Sequence, residues 1–120
     1  MEDVDASFDV PAEWRGEYYP AYIPEGFALL EIEKRSNSAI YSNSNDVWFI
    51  FDECSKDTDS NIDTEDAVIS FETIHGCEAL IVEEDGTIIA WSDGTKYFIL
   101  NADFSKEEAL KIARSVRRIS

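Results

Sequence analysis

Basic residues are scarce in this chain of 120 residues, which carries 10 lysines and arginines against 26 aspartates and glutamates. The resulting net charge of -16 at pH 7 repels phosphate backbones and anionic lipid surfaces. The sequence therefore predicts no nucleic-acid partner and no direct membrane insertion. It favours a protein partner or a small neutral or cationic ligand.

Long apolar runs are also absent. No stretch is long enough to cross a bilayer, and residues 1–10 are acidic, unlike the start of a signal peptide. The chain has two cysteines, Cys54 and Cys77, which permit one disulfide but do not require it. The sequence leaves their pairing open. It also leaves open whether the chain is cytosolic or part of a longer exported protein.

The motifs of several enzyme classes are missing. The sequence contains no glycine-rich phosphate loop, no zinc-ligand spacing and no G-x-S-x-G nucleophile elbow. His75 and Cys77 flank a turn, where a catalytic cysteine and its base do not reliably meet. We therefore expect a non-catalytic protein without a cofactor. A secreted hydrolase that uses carboxylates is the first alternative, although no carboxylate spacing singles out a catalytic pair.

An acidic loop, residues 57–66, resembles a calcium-binding loop at alternate positions. The weak candidate ligands are Asp57, Asp59, Asn61 and Asp63. Two requirements of an EF-hand fail, because Ile62 stands where glycine is needed and Val68 stands where a bidentate glutamate is expected. A structural cation-binding domain that uses this loop is the second alternative.

What is present describes one folded domain. Hydrophobic residues make up 44% of the chain and aromatic residues 12%, enough for a core of its own. Residues 1–13 are acidic and aperiodic and are predicted to form a flexible leader, which leaves residues 14–120 as the domain. Residues 14–26 are rich in aromatics and proline, which predicts an extended strap.

Seven short segments of β-forming residues follow, separated by turn signals. The chain closes with an amphipathic helix over residues 104–119, with Ser105 and Glu108 placed as a capping box. The predicted fold class is α+β. A single curved antiparallel sheet of about six to seven strands forms a meander, and the C-terminal helix packs on one face.

Three dipeptides, His75-Gly76, Asp85-Gly86 and Asp93-Gly94, predict two-residue hairpin turns that fix the register. That register collects an apolar set on the face beneath the helix: Ile69, Phe71, Leu80, Val82, Ile89, Trp91, Phe98 and Leu100. Tyr97 falls on the opposite face, which is mixed in polarity. We expect the strap, a partner protein or a ligand to cover part of that second face.

Several different short motifs follow one another along the chain. They are the Pro-Glu-Gly at 24–26, the Asp-Thr-Glu-Asp-Ala at 63–67, Gly76, the Trp-Ser-Asp-Gly at 91–94 and the Ser-Lys-Glu-Glu at 105–108. Together they resemble the domain-of-unknown-function family 4367, over roughly residues 18–118.

The resemblance implies a place and a role. Members of this family occur mainly in Gram-positive bacteria, often as the outer C-terminal part of single-span membrane proteins, many of them predicted anti-sigma factors. It therefore implies an extracytoplasmic binding or sensing module, and it supplies no catalytic residues. On the residues themselves, the candidates for partner binding are Tyr18, Tyr19, Tyr22 and Tyr97.

Overall fold

The computed structural model describes residues 10–35, 37–55 and 67–119. The strands in these ranges are β1 Tyr18–Pro20, β2 Ala28–Glu33, β3 Ser38–Ser42, β4 Trp48–Ser55, β5 Val68–Ile74, β6 Cys77–Glu83, β7 Thr87–Ser92, β8 Lys96–Ala102 and β9 Val116–Arg118. The helix is α1, Lys106–Arg114. No helix in the described part of the chain is long and apolar enough to span a bilayer.

Seven strands form one antiparallel sheet in the order β2-β3-β4-β8-β7-β6-β5. This confirms the predicted α+β class with one antiparallel sheet and a C-terminal helix. The sheet contains two meanders, β2 to β4 and β5 to β8, which join where β4 pairs with β8. β4 lies in the middle of the sheet and β5, the next strand along the chain, forms its far edge.

A second, two-stranded sheet was not predicted. β1 pairs antiparallel with β9, so that Tyr18 lies opposite Arg118 and Pro20 lies opposite Val116. The predicted helix therefore ends five residues early, at Arg114. The strap stops it there, because the backbone N–H of Ala21 donates to the Ser115 carbonyl and that of Tyr22 donates to Ser115 Oγ.

The start of α1 at Ser105 is confirmed, but the capping box predicted there is not. Ser105 is the N-cap residue with an extended backbone, but its side chain makes no capping hydrogen bond. The Glu108 side chain is bonded to the strap instead, because its Oε2 accepts a hydrogen bond from the Tyr22 hydroxyl at 2.6 Å. Its Oε1 lies 3.6 Å from Lys111 Nζ. The predicted capping box is therefore replaced by a contact between the helix and the strap.

The strap and α1 cover the same face of the large sheet. The Trp14 and Tyr19 rings lie 5.7 and 6.1 Å from Phe51, and the Tyr18 ring lies 5.1 Å from Phe98. The expectation that the strap covers the opposite face is therefore wrong. Burial of each large side chain in this layer contributes about 1.5–3 kcal/mol to folding, so the layer supplies much of the hydrophobic stabilisation.

The hairpin registers explain which side chains reach that layer. The His75-Gly76 turn is confirmed as a two-residue turn, because Ile74 pairs with Cys77 and both turn residues have positive φ. The Asp93-Gly94 loop is two residues longer than predicted, since Ser92 pairs with Tyr97. Because side chains alternate between the two faces of a strand, a register shift of two residues leaves each side chain on its predicted face.

The Asp85-Gly86 loop is one residue longer than predicted. Glu83 pairs with Thr87, so three residues form the loop. An odd shift inverts the faces of everything upstream. Four residues assigned to the helix side therefore lie on the opposite face: Ile69, Phe71, Leu80 and Val82. On the face that the helix covers, β5 and β6 present Ile74, Ala79 and Ile81 instead, and these three residues are fully buried.

Candidate functional site

A pocket of about 310 Å³ opens where the β1–β9 sheet meets the large sheet. We call it the strap pocket. Its lining comes from β1, the β5–β6 hairpin, the β7–β8 hairpin and β9: Tyr18, Ile74, His75, Cys77, Trp91, Asp93, Phe98, Val116, Arg117 and Arg118. The pocket therefore lies between segments from both ends of the domain.

The floor of the strap pocket is apolar. Ile74, Trp91, Phe98 and Val116 are all buried, with at most 4% of each side chain exposed. The Trp91 and Phe98 rings lie 5.2 Å apart and tilted. They are opposite each other in the β7–β8 register, which is why a single hairpin supplies the two largest floor residues.

Polar groups lie at the rim. The Tyr18 hydroxyl donates to Asp93 Oδ2 at 2.9 Å, which joins the strap to the β7–β8 loop. The pKa of Tyr18 is raised, chiefly by this hydrogen bond. Burial alone would raise the pKa of Asp93, but hydrogen bonds from the backbone of Lys96 and Thr95 and from the Tyr18 and Thr95 hydroxyls outweigh it. They lower the pKa of Asp93 to about 2.

A buried carboxylate positions Tyr18. Glu53 is 1% exposed, and its oxygens accept hydrogen bonds from the backbone N–H of Glu17 at 2.9 and 3.0 Å and of Tyr18 at 2.9 Å. Lys96 Nζ lies 3.6 Å from Glu53 Oε2. The strap can approach this closely because residue 16 is glycine. A Cβ there would overlap the Glu53 carboxylate and the Trp14 ring.

His75 and Cys77 both reach the rim of the strap pocket. The Cys77 thiol donates a hydrogen bond to the carbonyl oxygen of His75 at 3.8 Å, within the backbone of the turn. Cys77 and Cys54 are free thiols. They point to opposite faces of the large sheet, which answers the question of pairing that the sequence left open.

The four tyrosines proposed for partner binding are not brought together. Tyr18 lines the strap pocket, whereas Tyr19 is fully buried and its hydroxyl lies 2.6 Å from that of Tyr41. Tyr22 is exposed and bonded to α1. Tyr97 lies on the opposite face of the sheet, paired with Cys54. Only Tyr18 therefore belongs to the pocket.

The candidate calcium ligands, Asp57, Asp59, Asn61 and Asp63, lie outside the described residues. Within the described ranges no three His, Cys, Asp or Glu side chains are grouped to hold a metal ion. A second recess, of about 390 Å³, borders the Glu83–Thr87 loop and the start of α1. It is wide, and Phe104 is the only aromatic in its lining.

Sequence reasoning assigned several pocket residues to other roles. The sequence predicts Trp91 on the apolar face beneath the helix, and Arg117 and Arg118 within the helix of residues 104–119. The signal available in advance was Ser115, a residue that favours helix ends over helix interiors, followed by the strand-compatible Val116. Nothing local indicates that this strand pairs with β1 of the strap, at the other end of the domain.

Comparison with known proteins gives one result, a match to a protein family. A search of curated proteins and a search of solved structures each found no match to the chain. The model of one family, described as "Domain of unknown function (DUF4367)", matches residues 17–116. That range contains the floor of the strap pocket and ends immediately before Arg117. The chain belongs to the DUF4367 family.

Proposed function

We propose that this domain is a non-catalytic binding or sensing module whose ligand site is the strap pocket. The observation that carries the proposal is the pocket itself. Its volume of about 310 Å³ falls at the lower end of the range of about 300–1,000 Å³ for small-molecule sites. An apolar floor with a few polar groups at the rim is the usual composition of such a site.

The state of Asp93 supports a non-catalytic role. It is the only carboxylate among the described residues that line the pocket. A general acid needs a pKa raised towards neutrality, whereas the pKa of Asp93 is lowered to about 2. Its oxygens are also engaged by four donors within the protein. This favours a binding module over the carboxylate-dependent hydrolase.

The walls of the pocket suggest how occupancy could be sensed. Tyr18 on β1 and Arg118 on β9 face each other across the two-stranded sheet, and they come from near the two ends of the domain. A ligand that contacts both strands stabilises their docking on Trp91 and Phe98 by mass action. Ligand binding would therefore be transmitted to both ends of the domain.

We further propose that the module is extracytoplasmic and part of a membrane-linked, anti-sigma-like regulator, which is the place that the family resemblance implies. Cys77 offers a test in cells, because its side chain is partly accessible. In a Cys54→Ser background, a membrane-impermeant maleimide should label Cys77 in intact cells as completely as in lysed cells. Labelling only after lysis would contradict the extracytoplasmic placement.

The ligand site is tested by an NMR titration with 4-phenylbutanol, an uncharged probe with a phenyl body. Trp91 lines the pocket and Trp48 does not, so the two indole N–H signals serve as site and control. We expect a saturable shift at Trp91 with Trp48 unchanged.

A blocked protein provides the matched control. After Cys54→Ser, alkylation of Cys77 with N-phenylmaleimide places an aromatic ring at the rim, and the Trp91 shift should disappear. A titration in which Trp91 does not respond, or responds equally after alkylation, would overturn the proposed site.

A protein partner at the opposite face is a second candidate. On this face the edge strand β5 exposes Ile69 and Phe71 by 40% and 59%, and edge strands with exposed apolar side chains favour pairing with another chain. Analytical ultracentrifugation of wild type and Phe71→Lys tests this candidate. Equal sedimentation of the two proteins at all concentrations, with and without membrane extract, would count against it.

A further inference from the structure

The charges at the rim of the strap pocket differ from those of the chain as a whole. The net charge of -16 predicts a neutral or cationic ligand. The charged residues that line the pocket are Asp93, Arg117 and Arg118. The rim therefore carries arginine side chains beside its carboxylate, within a strongly acidic protein.

Most acceptor positions of Asp93, the carboxylate at the rim, are used within the protein. Asp93 Oδ1 accepts from Thr95 N at 2.8 Å, Thr95 Oγ1 at 2.9 Å and Lys96 N at 2.8 Å. Its Oδ2 accepts from the Tyr18 hydroxyl at 2.9 Å. Each carboxylate oxygen has about two lone-pair positions. The three donors on Oδ1 occupy both of its positions, and the Tyr18 hydroxyl occupies one of the two on Oδ2. An ammonium group on a ligand would therefore have to share Oδ2 with Tyr18.

Arg118 lies on the side of β9 that faces the pocket. It is opposite Tyr18 in the β1–β9 register and two residues from the floor residue Val116, so all three side chains project to one side. The hydrogen bond to Asp93, burial and the charge of Asp93 raise the pKa of Tyr18, and the charge of Arg118 opposes them. Guanidinium groups stay charged and bind carboxylates with two parallel hydrogen bonds.

We infer that the strap pocket selects an apolar ligand that carries one anionic group, such as an aryl or alkyl carboxylate. The apolar body lies on Trp91 and Phe98, and the anion lies at Arg118. This inference rests on the proposed function of the same pocket and adds the ligand class. The floor lies inside the matched family range of 17–116 and Arg118 lies after it.

The test compares three ligands that share one apolar body: 4-phenylbutyrate, 4-phenylbutanol and 4-phenylbutylamine, titrated at pH 7 and followed at the Trp91 indole signal. We expect the acid to bind about fivefold or more tightly than the alcohol, as a charge-assisted hydrogen bond at a partly exposed rim would give. The amine should bind most weakly.

Arg118→Gln removes the proposed anion partner. It should reduce the affinity for the acid to that for the alcohol and leave the alcohol affinity unchanged, which also shows that the pocket remains folded. Arg35→Gln, which removes one positive charge from an exposed position outside the pocket, should leave the preference for the acid intact.

The outcomes separate the two proposals. If none of the three ligands shifts Trp91, the proposed function fails and this inference fails with it. If the alcohol or the amine binds as tightly as the acid, the ligand class is wrong and the binding site stands. A preference for the acid that survives Arg118→Gln would overturn the assignment of Arg118.

Discussion

On one face of the large sheet, the side chains of Phe49, Phe51, Phe98 and Leu100 are at most 2% exposed, whereas on the other face Phe71 is 59% exposed. Both faces carry apolar side chains drawn from the same alternating strands. The helix and the strap lie on only one of them. The difference teaches that alternation sorts residues into two sets but does not decide which set becomes the interior, because that depends on what covers each face.

The largest expected effect comes from removing one phenylalanine from each face. Phe51→Ala should destabilise the domain by about 3–5 kcal/mol, because it opens a cavity beneath Trp14 and Tyr19. Phe71→Ala should change stability by less than about 0.5 kcal/mol, as exposed substitutions do. Urea unfolding of both variants measures the difference. Equal losses would show that the opposite face is also covered.

A second pair of substitutions replaces two adjacent acidic residues, which lie on opposite faces of the sheet, by the corresponding amides. Glu53→Gln should cost about 2–3 kcal/mol, because the buried charge accepts three backbone hydrogen bonds and lies beside Lys96. Asp52→Asn should cause no loss of stability at neutral pH. Burial raises the pKa of Asp52, although its hydrogen bond from Ser38 lowers it in part, so the native state disfavours the charged form.

The comparison of these amides is made by urea unfolding at pH 7 under identical salt. The order of the two stabilities matters more than the values. A Glu53→Gln variant as stable as wild type would mean that the Glu53 charge does not hold the strap to the sheet.

The smallest effect concerns pH. The folded pKa of Asp93, about 2, lies below the ordinary value of 3.8, so its ionised form stabilises the native state above pH 4. That stability is lost as the pH falls from about 4 to about 2. Asp52 has the opposite sign, since its folded pKa is raised, and it lowers stability as the pH rises through that value.

Urea unfolding of wild type and Asp93→Asn between pH 6 and pH 2 measures this contribution. The asparagine keeps an acceptor oxygen but not the charge, so the variant should be less stable at pH 6 and approach wild type near pH 2. A gap that is independent of pH would contradict the role assigned to the Asp93 charge.

The hairpins show how far the sequence could predict the register. His75-Gly76 is a two-residue turn because both residues adopt positive φ, which is a local property of the dipeptide. Asp85-Gly86 is also an acidic or polar residue followed by glycine, but its glycine is required for a different reason. A Cβ at Gly86 would lie 2.6 Å from the carbonyl oxygen of Ala102, so glycine is needed there for a close approach between strands.

The candidate site was less predictable than the fold. The sequence placed Trp91 and Phe98 on one interior face, and the structure confirms that placement. It placed Arg118 in a helix, whereas the structure places it in β9 opposite Tyr18. The pocket depends on that pairing, and no periodicity within either segment predicts a partner at the other end of the chain.

By itself the sequence determined the properties that neighbouring residues decide: the strand segments, the positions of most turns, the start of the helix at Ser105 and the burial of Trp91. Only the tertiary structure decided which face the strap covers, where the helix ends and that a pocket forms. The reason is that these depend on contacts between distant segments. Glu53 binds the backbone of Glu17 and Tyr18 from 36 and 35 residues away, and β9 pairs with β1. The free energy of such contacts is absent from any local pattern, so it appears only when the chain is folded.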